Sequence, residues 1–131
     1  MRFLSAYLAT LLAFIVADSI WISAFARDFY RARIGHLLSS NPSFPAAAAV
    51  YLIYAAGVLI FAVTPALETN DWLRAAVFGS AFGFFTYALY DLTCHATLKD
   101  WPLSVALADM VWGTFVTALA AAVGYAAASL F

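Results

Sequence analysis

Residues 103–130 read LSVALADMVWGTFVTALAAAVGYAAASL, a run broken by a single ionisable group, Asp109. A helix of about 20 mostly apolar residues spans the hydrocarbon core of a bilayer, and this run exceeds that length. Three more windows of the same kind lie upstream, at 3–25, 45–64 and about 72–93 or somewhat beyond. None alternates strictly between apolar and polar positions as a β-barrel strand does, so the windows predict helices. The expected fold is therefore all-α, an integral membrane four-helix bundle, with the 131 residues forming one transmembrane domain.

Composition agrees. Hydrophobic residues make up 66% of the chain, charged residues only 10%, and the mean hydropathy is +0.94. A soluble domain carries about 25% charged residues, and 6 Lys or Arg with 7 Asp or Glu do not coat a chain of this size against water. The net charge of -1 excludes the basic footprint of a nucleic-acid binder, and one cysteine, Cys94, excludes an internal disulfide. Membrane lipid is the expected surrounding partner, and a homo-oligomer is compatible with the composition. No nucleotide-binding, dinucleotide-binding or zincin motif occurs.

The connections carry helix punctuation. Ser43 and Pro45 suit the cap and first turn of the second helix, Pro65 is expected to end it ahead of Glu68-Thr69-Asn70-Asp71, and Pro102 opens the fourth. The first connection, Ala26 to Phe44, is the longest; its segment around Phe29, Tyr30, Arg31, Arg33 and Ile34 suits a short amphipathic helix on the membrane interface. Arg2 ahead of an apolar run imitates a signal peptide, but Asp18 and Trp21 are out of place in one, and an uncleaved first span is the expectation. Arg27, Arg31, Arg33 and Lys99 fall on one side of the bundle, Arg2 and Arg74 on the other. The positive-inside rule then puts both termini in the periplasm of a bacterial inner membrane.

Three acids stand inside apolar windows: Asp18, Asp91 and Asp109. A charged residue at mid-membrane costs at least about 2.5 to 3.5 kcal/mol on insertion scales, so each needs a partner or a role. With helices alternating in direction, all three fall in the half of the bundle nearest the basic connections. On the third helix Gly79, Gly83, Tyr87, Asp91 and His95 recur every fourth residue, and on the fourth so do Asp109, Gly113, Thr117 and Ala121. Such rows lie along one helix face, and their small members let backbones approach closely in lipid. Asp18-x-x-Trp21 and Asp109-x-x-Trp112 repeat one local pattern, in which each indole N–H has the reach to satisfy a carboxylate on another helix.

The segment Thr86 to Pro102, TYALYDLTCHATLKDWP, followed by Asp109 and Trp112-Gly113, resembles a bacterial membrane-protein family known as domain of unknown function 2177. The family pattern reads T-Y-x-x-Y-D-L-T-N-x-A-T-L-x-x-W-P and then D-x-x-W-G. Asp18-x-x-Trp21, Ile34-Gly35 and Val63-Thr64-Pro65-Ala66 extend the resemblance over nearly the whole chain. This chain departs from the pattern at Cys94, where the family has Asn. The resemblance implies a four-helix integral membrane protein and no particular activity.

The candidate ligand-binding residues are Asp18, Trp21, Tyr87, Tyr90, Asp91, His95, Lys99, Asp109 and Trp112. Titratable groups of these types suit a small ligand or cation, in binding or in transport. Aromatic walls from Phe82, Phe84, Phe85, Tyr87, Tyr90, Trp101 and Trp112, with Arg31, Arg33 and Lys99 for phosphate, suit a lipid. Asp91 and His95, four residues apart, have the spacing to share a metal ion with Asp109, Asp18 or His36. The paired Glu-x-x-His motifs of di-iron bundles are nevertheless missing, so no metal site and no cofactor is assigned. Two alternatives stay open: a membrane enzyme or accessory factor in lipid modification using Asp91, Asp109 and His95, and a structural subunit of a larger complex.

Overall fold

The computed structural model describes Met1–Phe131. Four helices, each long and apolar enough to cross a membrane, make up the bundle: α1 (Arg2–Leu37), α2 (Phe44–Thr69), α3 (Trp72–Thr97) and α4 (Leu103–Ser129). The Ser43 hydroxyl accepts from the Ala46 N–H and the Asp71 carboxylate from the Leu73 N–H, so α2 and α3 open on side-chain caps. Asn70 closes α2 in the left-handed region at φ 51°, the conformation Asn tolerates better than most residues.

Two expectations about helix ends are corrected. The helix α1 does not stop near Phe25. It runs on through a π-helical turn at Ile22–Ala26, an α segment at Arg27–Ile34 and a 3₁₀ turn at Gly35–Leu37, so the amphipathic segment is a continuation of the first helix. Pro65 does not end α2 either. A π-helical turn at Leu59–Val63 precedes it and the helix continues to Thr69. Proline lacks the N–H that an α-helix bonds four residues back, and a turn that already departs from that ladder accommodates it.

The helix α4 is the centre of the bundle. It packs most extensively on α3 and next on α1, while α2 closes the structure over all three. Its buried positions are mostly small: Ala106, Gly113, Thr117, Ala120, Ala121, Gly124 and Ala128. The two four-residue rows meet there. A Cβ on Gly79 would stand 2.8 Å from Ala121 Cβ, and one on Gly83 would run into the Gly113 carbonyl and the Thr117 side chain. These backbones touch where any side chain would hold them apart. On the far side, Gly124 lies against Thr10 of α1. The outer surface is apolar instead of polar: Leu4, Leu8, Leu12, Val16 and Ile20 form an exposed row on α1, and Val111, Phe115, Leu119 and Val123 one on α4. A surface of this kind is compatible with lipid and not with water.

Candidate functional site

The π turn in α1 decides which residues share a face with Asp18. At about 100° per residue, a regular helix would carry Tyr30 roughly 120° around from Asp18. The wider turn at Ile22–Ala26 takes back about one residue's rotation, leaving the two within about 20° of each other. Asp18, Trp21, Arg27, Tyr30, Arg31 and Ile34 consequently line one cleft, of about 550 Å³, together with Tyr87 and Asp109 from α3 and α4.

Each carboxylate is reached from a different helix. Asp18 Oδ2 accepts from the Tyr51 hydroxyl of α2 at 2.6 Å, and its Oδ1 from Trp112 Nε1 of α4 at 3.0 Å. Asp109 Oδ1 accepts from the Tyr30 hydroxyl at 2.9 Å, while its Oδ2 takes no hydrogen bond from the protein. The indoles of Trp21 and Trp112 stack with centroids 4.6 Å apart and planes inclined by 5°. Asp18, on α1, is thus bonded to α2 and α4 through both of its oxygens, whereas Asp109 accepts at Oδ1 alone.

A second cleft of about 490 Å³ adjoins the first. Its walls are Phe14, Ala47, Val50, Tyr51, Tyr54, Thr86 and Tyr90, and it shares Asp18, Tyr87 and Asp109 with its neighbour. Tyr54 braces its floor, with its hydroxyl 3.0 Å from Thr86 Oγ1 and 2.8 Å from Thr117 Oγ1. A smaller cavity of about 170 Å³ opens on the other side of Asp109, between Tyr30, Ile34, Tyr90, Trp101 and Val105. Asp109 borders all three spaces.

Of the residues singled out in the sequence, Asp18, Trp21, Tyr87, Tyr90 and Asp109 line these spaces, and Trp112 holds Asp18 in position. Asp91 is fully buried beside Asp109 and Trp101, with both carboxylate oxygens outside hydrogen-bond geometry. His95 and Lys99 are not part of the group. His95 is exposed and its Nδ1 meets the Trp101 carbonyl at 2.7 Å, which braces the α3–α4 connection, and Lys99 lies exposed in that turn. Arg33 stacks on Phe29 at 3.9 Å and bonds the Phe29 carbonyl, away from the cleft. Phe82 and Phe85 line a separate surface hollow with Phe61 and Phe78. No three His, Cys, Asp or Glu side chains converge to hold a metal ion. Tyr30, Tyr51 and Arg27 are the site residues the sequence reading missed. For Tyr51 a signal existed: a tyrosine hydroxyl inside an apolar run requires a partner away from water.

A family model described as "Predicted membrane protein (DUF2177)" matches residues 3–126. The chain belongs to this family. The match reaches into all four helices and covers every residue of the carboxylate group, so the family assignment and the bundle describe the same unit. No curated protein and no solved structure matches the chain.

Proposed function

We propose that this member of the family binds a lipid-like amphiphile between α1, α2, α3 and α4, with its polar end at Asp18 and Asp109. The observation that carries the reading is the pair of adjoining clefts: both are lined mainly by apolar side chains, only one of them also carries Arg27 and Arg31, and Asp18, Tyr87 and Asp109 belong to both. A ligand with a polar head and an apolar body matches that division, since apolar walls supply burial and a few fixed polar groups supply orientation. The first cleft lies toward the end of the bundle bearing Arg27 and Arg31, basic side chains of the kind that meet lipid head groups. The group is preorganised, because Tyr51, Trp112 and Tyr30 fix both carboxylates before any ligand arrives.

The test is native mass spectrometry of the protein purified in a mild detergent. One lipid-sized adduct per chain is expected. Ala47→Trp, which fills the second cleft from an exposed position, should remove the adduct without lowering the melting temperature. An adduct that survives Ala47→Trp, or a wild-type protein that carries none, overturns the reading.

A further inference from the structure

Resting on that reading, we propose that the ligand's head group carries a primary ammonium beside a phosphodiester, the ammonium meeting Asp109 and the phosphodiester meeting Arg27 and Arg31. The first cleft is lined by two arginines and two aspartates, yet none of the four is in an ion pair; the histidine–aspartate contact in the chain, His36 to Asp100 at 3.1 Å, lies elsewhere. Charges of opposite sign are therefore present in one cavity and kept apart. A cavity that is neutral in sum but divided in charge complements a zwitterion, and fits a purely anionic or purely cationic head group poorly.

The division also sets the direction. The positive end belongs to the surface: Arg27 and Arg31 are both exposed, on the stretch of α1 that follows the π turn. Two guanidinium forks on one helix face suit an anion with several equivalent oxygens. The negative end lies deeper. Asp18 already accepts from Tyr51 and Trp112, whereas Asp109 has Oδ2 to offer, so the ammonium belongs at Asp109. A primary ammonium has N–H donors, one of which that oxygen can accept; a quaternary one has none and needs an aromatic cage, and one face of the Trp21 ring is already covered by Trp112. The adjoining aromatic cleft then takes the first part of the acyl chain.

The experiment titrates the purified protein in maltoside micelles with four probes, read by tryptophan fluorescence: lysophosphatidylethanolamine, lysophosphatidylcholine, lysophosphatidylglycerol and chain-free glycerophosphoethanolamine. Lysophosphatidylethanolamine should bind at least about ten-fold more tightly than the glycerol and choline lipids. Asp109→Asn, which keeps an acceptor for Tyr30, should abolish that preference. Arg27→Gln with Arg31→Gln, both on the surface, should weaken the ethanolamine and glycerol lipids alike. Equal binding of the three lysolipids overturns the head-group assignment and leaves the amphiphile reading standing. No binding by any lysolipid overturns both. Glycerophosphoethanolamine binding as tightly as its lysolipid supports the ammonium–phosphodiester chemistry and overturns the lipid as its source.

Discussion

Trp112 Nε1 of α4 donates to Asp18 Oδ1 of α1 at 3.0 Å, crossing between the two copies of one local pattern, Asp18-x-x-Trp21 and Asp109-x-x-Trp112. The exchange is one-sided. Trp21 stacks on Trp112 but does not return a hydrogen bond to Asp109, whose donor is Tyr30, and Trp21 Nε1 stays buried without an acceptor. One carboxylate is thereby closed by two neutral donors and the other is left with an open oxygen. Two similar sequence motifs yield one anchor and one accessible group.

The anchor should be worth measuring directly. Trp112→Phe keeps a ring against Trp21 but removes the donor, leaving a carboxylate oxygen short of a partner in a part-buried site. The expected loss is about 1–3 kcal/mol of stability, read as a lower melting temperature in detergent. Tyr51→Phe should cost a similar amount by the same reasoning, since Tyr51 is the other donor. A Trp112→Phe protein that melts with the wild type would show that the hydrogen bond contributes nothing to the fold.

Glycine substitutions separate close approach from mere small size. A Cβ at Gly83 meets the Gly113 carbonyl and Thr117, neither of which is the far end of a flexible side chain. Gly83→Ala should therefore push α3 off α4 and lower the melting temperature sharply. At Gly35 the nearest neighbour of a Cβ is Arg31 Cβ at 3.9 Å, and φ is -55°, so Gly35→Ala should be neutral or gain up to about 1 kcal/mol through reduced chain entropy. Thermal melts of the two variants that coincide would remove the close-packed interface between the glycine rows.

The four helices and the inward glycine rows are legible in the sequence because both are periodic and lipid permits few alternatives. The face of α1 beyond Trp21 is not. Counting at 100° per residue takes Tyr30 away from Asp18, and only the π turn brings it back; nothing in Ile22-Ser-Ala-Phe-Ala26 announces that turn. Of the three basic residues the sequence offers for phosphate, Arg31 lines the cleft, joined there by Arg27, whereas Arg33 lies off that face and Lys99 lies in the α3–α4 turn. Pro65 misleads in the opposite sense, since a proline that ordinarily stops a helix is absorbed by the π turn ahead of it. Local departures from α-helical spacing are what periodicity cannot supply.

Orientation is open to a labelling test. By the positive-inside rule, Arg27, Arg31, Arg33 and Lys99 against Arg2 and Arg74 predict that the Asn41 side faces the cytoplasm. In a Cys94→Ser background expressed in bacteria, Asn41→Cys should resist a membrane-impermeant maleimide in intact cells, and Glu68→Cys should react. Glu68 is exposed at the opposite end and avoids the left-handed Asn70. Strong labelling at position 41 with none at 68 reverses the topology and leaves the bundle untouched.

The last prediction separates Asp91 from Asp109, which lie side by side yet differ in what they face. Asp91 has no exposed surface, neither of its oxygens is hydrogen-bonded, and it lines none of the three spaces around Asp109. A buried polar group without a partner costs about 1–3 kcal/mol, whereas exchanging it for a group that makes no such demand is close to neutral or better. Asp91→Val should therefore melt at or above the wild-type temperature, by roughly 4 °C for each kcal/mol relieved in a chain of this length. Asp91→Asn, nearly isosteric, should leave both melting and lysolipid binding unchanged. Asp109→Asn should instead lose the preference for the ammonium head group while melting normally. Thermal melting and the fluorescence titration on the three purified variants give the answer. If Asp91→Val unfolds well below the wild type, the carboxyl is bonded within the native bundle, to Trp101 Nε1 or Asp109. If Asp91→Asn loses binding as Asp109→Asn does, the two carboxyls act as one group and the ammonium site extends into the interior.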